Sequence, residues 1–174
     1  MNARRLTSIA GVALAVSALG ATQLAAGATP ARTVRVSAQL KVASTVNGLG
    51  GAPQSCLAGI CKIKNRGTGR MTHFGKVTFT SVITADDNQP PCGTSSQWVN
   101  RIIRTIHTSR GILVLHEAGL QCPEPGVGPR VEAVWTVDGA ESTGIFAGAQ
   151  GGGYDIAYPV QDTAAPHGTI TLAP

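Results

Sequence analysis

The stretch TVRVSAQLKV, which runs from Thr33 to Val42, alternates strictly between apolar and polar residues. Its even-numbered residues are apolar, and its odd-numbered residues are polar or charged. A period of two residues is that of a β-strand with one face on a core and the other in water. The stretch therefore predicts a strand, and the rest of the chain follows the same pattern.

Similar patterns recur at fairly regular spacing along the chain. Turn signals separate several of them, as at Ser109–Gly111 and Asp138–Gly139. In one segment both faces are apolar, and Trp98 is expected to share a face with Ile102. Seven or eight strands and no convincing helix predict an all-β antiparallel barrel or sandwich, and a barrel is favoured because closure removes exposed strand edges. The later predicted strands cover residues 76–84, 98–107, 112–117, 131–137, 154–160 and 169–172.

Residues 47–70 depart from the alternation, since they are rich in glycine and contain two of the four cysteines. Glycine weakens a strand interior because it has no side chain to pack. We therefore predict a long loop here, with a short strand over Cys61–Lys64.

The N-terminus has the order of a secretory signal peptide. Arg4 and Arg5 precede an apolar stretch from about Leu6 to Leu19, and Ala26-Gly27-Ala28 is a small-residue cleavage site. A transmembrane anchor would need about 20 unbroken apolar residues, whereas hydroxyl side chains and Gly20 interrupt this stretch. We predict a signal peptide over residues 1–28 and a single secreted, extracellular domain over residues 29–174.

The net charge of this domain limits the classes of molecule that it is expected to bind. Removal of 28 residues, two arginines among them, leaves 146 residues with 12 Lys/Arg, nine Asp/Glu and a net charge of about +3. A nucleic-acid interface would need a stronger basic stripe with interleaved aromatic residues. We expect no nucleic acid and no membrane as partners. The expected partners are a hydrophobic small molecule, an extracellular protein or a second copy of the chain.

All four cysteines lie in the predicted secreted domain, where an even number in an oxidising compartment indicates disulfides. Four cysteines allow three connectivities. The favoured one joins Cys56 to Cys61 around a small loop and Cys92 to Cys122 between two loops rich in proline or glycine.

Two further segments have the form of known motifs. Thr72–Thr78 reads THFGKVT, and Thr143–Gly153 reads TGIFAGAQGGG. The first resembles T-H-L-G-[RK]-x-T at the start of a strand, and the second resembles the hairpin T-G-R-F-x-G-A-T-G-x-G. Both motifs occur in small exported bacterial β-barrel proteins that are similar to the allene oxide cyclase and dirigent barrels. The resemblance implies a barrel.

This chain departs from those motifs at Ile145, where the family has arginine, and at Gln150, where it has threonine. The four cysteines are additions, and no cyclase catalytic residue matches by motif. Among the glycines of the second segment Phe146 is the one aromatic residue, and we expect it to plug the core.

Five residues are candidates for a ligand site inside the barrel. Arg101 and Arg104 are three residues apart, so one of them should face the interior, where it needs a carboxylate partner or an anionic ligand. His116 would enter the interior only if it shared the inward face with Ile112 and Val114. We assign no catalytic residue, cofactor or metal ligand, because no catalytic motif or metal-ligand spacing is present. The five candidates are Arg101, Arg104, His116, Trp135 and Tyr154.

Three functions are compatible with these features. The first is a secreted binding or structural module. The alternative is a cyclase or isomerase, similar to allene oxide cyclase, that holds a hydrophobic molecule inside the barrel. A third is an inhibitor or toxin-like effector that uses its cysteine-tied loops against another protein. The interior discriminates the first two, because a barrel filled by Phe79, Trp98, Trp135 and Phe146 would leave no room for a substrate.

Overall fold

The computed structural model describes residues 30–47 and 55–174, and the predicted signal peptide lies outside them. The described chain is mostly β-structure, with two single 3₁₀ turns at Gly144–Phe146 and Pro159–Gln161. Its strands are β1 (Arg32–Asn47), β2 (Ser55–Leu57), β3 (Ile60–Met71), β4 (Gly75–Asp86), β5 (Gln97–Thr108), β6 (Gly111–Glu124), β7 (Gly128–Val137), β8 (Gln150–Tyr158) and β9 (Thr163–Leu172).

The strands close into a barrel. Each strand from β3 to β8 pairs antiparallel with the next one along the chain. β1 closes the sheet, because it pairs with β9 through its first half and with β3 through its second half. The short β2 adds to the start of β3, beyond the eight strands of the barrel. The predicted all-β antiparallel barrel is confirmed, and closure protects the strand edges.

The predicted long loop is wrong over residues 55–70, because β2 and β3 occupy nearly all of them, and residues 48–54 lie outside the described residues. The short strand predicted over Cys61–Lys64 is part of β3. Gly67 and Gly69 lie in β3 beside β1. A Cβ added at either position would collide with the carbonyl oxygen of Lys41 or of Gln39. Both positions require glycine because β1 and β3 approach each other closely in the barrel wall. Glycine inside a strand can thus indicate a close backbone approach instead of a loop.

β5 contains an irregularity between Val99 and Ile102, where its register against β6 shifts. Both residues are buried, although three residues apart on a regular strand would face opposite ways. Trp98 is 43% exposed. The expectation that Trp98 shares a face with Ile102 is therefore wrong. A bulge inserts an extra residue into the strand, so the alternation of side chains between the two faces is shifted after it.

One end of the barrel, where β1 begins, is packed with side chains, and we call it the closed end. Phe146, in the turn between β7 and β8, is fully buried and meets Phe74 edge-on, with ring centroids 4.9 Å apart. Trp135 is also buried, and its ring lies over Gly153 and Gly168, where a Cβ would collide with it. The prediction that Phe146 plugs the core is confirmed.

Both favoured disulfides are present. Cys56–Cys61 joins β2 to β3, and Cys92–Cys122 joins the loop after β4 to the end of β6. None of the cysteines in the described part of the chain is free. The second disulfide holds the long β4–β5 loop against the opposite end of the barrel from Phe146.

Candidate functional site

The other end of the barrel, which we call the open end, contains a cavity of about 300 Å³. It lies between the ends of β1 and β3–β7 and the turn that joins β8 to β9. Its walls are mostly apolar and β-branched, as expected of residues that face inward from strands. The principal wall residues are Ile63, Ile83, Val99, Ile102 and Val131.

A few polar side chains interrupt these apolar walls. Gln97 and Gln121 line the cavity, and Nε2 of Gln121 donates to Oε1 of Gln97 at 3.4 Å. Asn65 also lines it, and its Oδ1 atom is shielded from solvent with no hydrogen-bond partner among the described residues. A buried acceptor without a donor is costly, so a donor from a bound molecule would relieve it.

A buried ionic cluster lies inside the barrel, formed by Arg104 of β5, Glu117 of β6 and Asp155 of β8. Nε of Arg104 donates to Glu117 Oε1 at 2.6 Å, and Nη2 donates to Glu117 Oε2 at 3.0 Å. The same Nη2 donates to Asp155 Oδ2 at 2.6 Å. Asp155 Oδ1 accepts from the backbone N–H of Ala165 at 2.9 Å, so the cluster ties four strands together.

The electrostatics of this cluster are unbalanced, since two carboxyl groups share one guanidinium. Burial raises the pKa of Glu117 to about 7, and the charge of Asp155 adds to the rise, while Arg104 opposes it. Burial alone would lower the pKa of Arg104, but the charges of Glu117 and Asp155 outweigh it and raise that pKa. Burial therefore brings the pKa of Glu117 into the neutral range.

Arg104 lies one layer of residues beneath the cavity wall, and Glu117 lies directly across from a wall residue. Ile102, in the cavity wall, is two residues before Arg104 on β5 and pairs with Glu117 across on β6. On the antiparallel strand β4, Ile83 pairs with Ile102, and Ser81, two residues earlier in the chain, pairs with Arg104. Beneath the cluster, the guanidinium of Arg104 lies 5.8 Å from the centre of the Phe79 ring. Cavity, ionic cluster and packed core thus follow one another from the open end to the closed end.

The five sequence candidates are not gathered into one site. Arg104 is the inward arginine of its pair and has its carboxylate partners, whereas Arg101 is exposed. Trp135 is buried at the closed end, where its Nε1 donates to the carbonyl oxygen of Tyr154. Tyr154 lies on the outer face, 52% exposed. None of the five lines the cavity.

His116 does not enter the interior, because the inward face of β6 is that of Leu113, Leu115 and Glu117. The condition under which it would act inside the barrel is not met. Its ring lies on the outer face beside Asp138, with Nε2 3.5 Å from Oδ2.

Sequence reasoning missed Glu117, Asp155 and the cavity walls. Glu117 has the same parity on β6 as Leu113 and Leu115, and that parity was a usable signal for an inward carboxylate. The wall residues carry no such signal, because an apolar β-branched residue looks the same in a packed core and beside a cavity.

Comparison with known protein families, curated proteins and solved structures finds no match to this chain. Within the described residues, no helix has the length and apolarity needed to cross a membrane. Fold and site together define a class: a disulfide-bonded, eight-stranded antiparallel barrel with a packed end, a buried ionic cluster and an apolar cavity.

Proposed function

We propose that this protein is exported and binds a small apolar molecule in the cavity at the open end of the barrel. The observation that carries the proposal is the cavity itself, about 300 Å³ with walls of isoleucine and valine. This volume stands at the lower end of the range for small-molecule pockets, and it equals the liquid volume of about ten water molecules. Export is supported by the sequence pattern of residues 1–28 and by the two disulfides, which persist in oxidising compartments.

The polar groups of the cavity refine the chemistry of the ligand. The free acceptor of Asn65 calls for a hydroxyl or N–H donor on an otherwise apolar body. Gln97 and Gln121 provide an amide pair for a second polar group. Asp162 is the one ionisable residue among the described residues of the lining, and its side chain is exposed, so a neutral ligand fits best.

A cyclase or isomerase similar to allene oxide cyclase is the second candidate, since a shaped apolar cavity also suits such a reaction. A general acid or base has to be within hydrogen-bond reach of its substrate. Glu117, with its raised pKa, would be the obvious proton carrier, but it is not among the residues that line the cavity, and both its oxygens accept hydrogen bonds from Arg104. Binding without catalysis is therefore the better-supported function.

The test uses a matched pair of substitutions on β7. Val131 faces the cavity, whereas Val134 is 69% exposed on the outer face. Val131→Trp fills the cavity, and Val134→Trp adds the same bulk outside. We expect the neutral dye N-phenylnaphthylamine to bind the wild type and the Val134 variant and to bind the Val131 variant at least tenfold more weakly.

Native mass spectrometry of the oxidised protein from culture supernatant tests the same proposal with its natural ligand. We expect an added mass that disappears when the protein is denatured and that is absent from the Val131 variant. Equal dye binding by both variants would contradict a ligand site in the cavity, provided that thermal unfolding shows both variants to be folded. Turnover of an apolar substrate by the wild type would instead favour the enzyme.

A further inference from the structure

His116, Asp138 and Glu141 come together on the outer face of the barrel. His116 is on β6, Asp138 follows the last residue of β7, and Glu141 lies in the turn after it. One ligand atom from each side chain can be chosen so that all three lie within 4.8 Å of one another. The cluster is separate from the cavity, because His116 points away from the interior that Glu117 faces.

The turn after β7 holds the carboxylate of Asp138 in place. Its Oδ1 atom accepts hydrogen bonds from the backbone N–H groups of Ala140 and Glu141, each at 3.0 Å. The backbone N–H of Asp138 donates to the carbonyl oxygen of Val114 at 2.9 Å, which fixes the turn to β6. With Oδ1 engaged in this way, Oδ2 is the atom that faces the imidazole of His116.

The separation of His116 and Asp138 does not correspond to a hydrogen bond. Nε2 of His116 and Oδ2 of Asp138 are 3.5 Å apart, whereas N–H···O bonds have their atoms about 2.7–3.2 Å apart. Two ligands on one tetrahedral zinc ion, at about 2.0–2.1 Å each, are about 3.3 Å from each other. The observed distance is therefore close to the edge of a metal coordination shell.

The state of the histidine agrees with this distance. The Nε2 atom is shielded from solvent and has no hydrogen-bond partner among the described residues. The side chains of His116 and Asp138 nevertheless remain 34% and 23% exposed, so an ion can reach the cluster. A ring nitrogen that faces a carboxylate without forming a hydrogen bond to it has the position of a metal ligand beside a second ligand.

We propose that His116, Asp138 and Glu141 bind a divalent transition-metal ion, with Zn²⁺ as the best fit. One imidazole nitrogen and two carboxylate oxygens are a donor set that zinc accepts, and three protein ligands leave a fourth position for water. Two carboxylates and a neutral imidazole carry a net charge of −2, which matches the charge of the ion.

This site was not expected from the sequence, because His116 lies on β6, the two carboxylates lie in the turn after β7, and the three residues have no motif spacing. It is also independent of the proposed ligand cavity, since no residue of the cluster lines that cavity. Failure of one proposal therefore leaves the other untouched.

Isothermal titration calorimetry with Zn²⁺ tests the site in the oxidised protein, purified without a histidine tag and treated with EDTA beforehand. We expect one Zn²⁺ per chain, and a loss of about tenfold or more in affinity in His116→Gln. His107→Gln is the matched control, because His107 is an exposed histidine on the neighbouring strand β5. It should bind Zn²⁺ as the wild type does.

A second variant tests the site if His116→Gln fails to fold. Glu141→Gln removes a ligand at an exposed position, so it should fold normally and bind Zn²⁺ more weakly. Zn²⁺ should also raise the melting temperature of the wild type and not that of His116→Gln. Absence of one-to-one Zn²⁺ binding, equal affinity in the folded variants, or binding of Ca²⁺ in place of Zn²⁺ would overturn the proposal, since calcium takes oxygen ligands.

Discussion

Replacement of Glu117 by glutamine is expected to remove a pH dependence of folding that the buried cluster creates. In the folded protein, burial raises the pKa of this carboxyl group from its ordinary value of 4.5 to about 7. Glutamine has nearly the shape of the protonated side chain and no charge. Its oxygen can still accept one hydrogen bond from Arg104, which is left in a balanced pair with Asp155. Its NH2 group takes the place of the second acceptor and faces an N–H of Arg104, which lowers the stability of the variant by an amount that does not depend on pH.

The sign and size of the effect follow from proton linkage. Between pH 4.5 and 7 the folded protein holds a proton that the unfolded chain has released, so the free energy of unfolding falls as the pH rises. This contribution is complete below pH 4.5 and is lost as the pH passes 7. At about 1.4 kcal/mol per pH unit, the loss over the window is about 3 kcal/mol. The variant lacks this loss, so its stability relative to the wild type should rise by about that amount.

Urea unfolding at several values between pH 4.5 and 8, with both disulfides intact, measures the difference. The fluorescence of the buried Trp135 reports the transition, and other titrating groups cancel because they are shared by both proteins. We expect the stability of Glu117→Gln relative to that of the wild type to rise by about 3 kcal/mol between pH 4.5 and pH 8. If the variant is less stable by the same amount at every pH, the reasoning is refuted. Glu117 would then be ionised in the folded protein over the whole range from pH 4.5 to 8.

Three further outcomes are expected. Arg104→Leu should lower the free energy of unfolding by about 3–5 kcal/mol at pH 8, measured by urea unfolding, because it leaves Glu117 and Asp155 buried without a counter-charge. It should cost far more than Glu117→Gln at that pH, and equal effects would contradict the cluster's charge balance. Phe146→Ala should cost about 3–5 kcal/mol in the same assay, since the ring is fully buried against Phe74; a loss under 1 kcal/mol would show that it does not plug the core. Removal of Cys92–Cys122 by a double serine substitution should cost about 4 kcal/mol, and removal of Cys56–Cys61 about 2 kcal/mol, because the loops span 30 and 5 residues; the reverse order of melting temperatures would contradict this ranking.

Local pattern was sufficient wherever a strand is regular. The alternation from Thr33 to Val42 and from Lys76 to Thr84 predicts strands that β1 and β4 confirm. It was insufficient at Val99 and Ile102, since a bulge is stabilised by pairing with the neighbouring strand. It also failed in β3, where glycines signal the proximity of β1 rather than a loop.

The sequence by itself determined the class of the molecule: alternating polarity requires a sheet with one buried face, and four cysteines among loops predict two disulfides. The tertiary structure alone decided what lies inside. Arg104, Glu117 and Asp155 are far apart in the chain and meet because the registers of β5–β8 bring them to one level of the barrel. The open end is hollow for a related reason. Whether an inward valine or isoleucine packs in the core or lines a cavity depends on the side chains that the other strands place opposite it. Those strands are distant in the chain, so the local sequence pattern does not show which side chains they are.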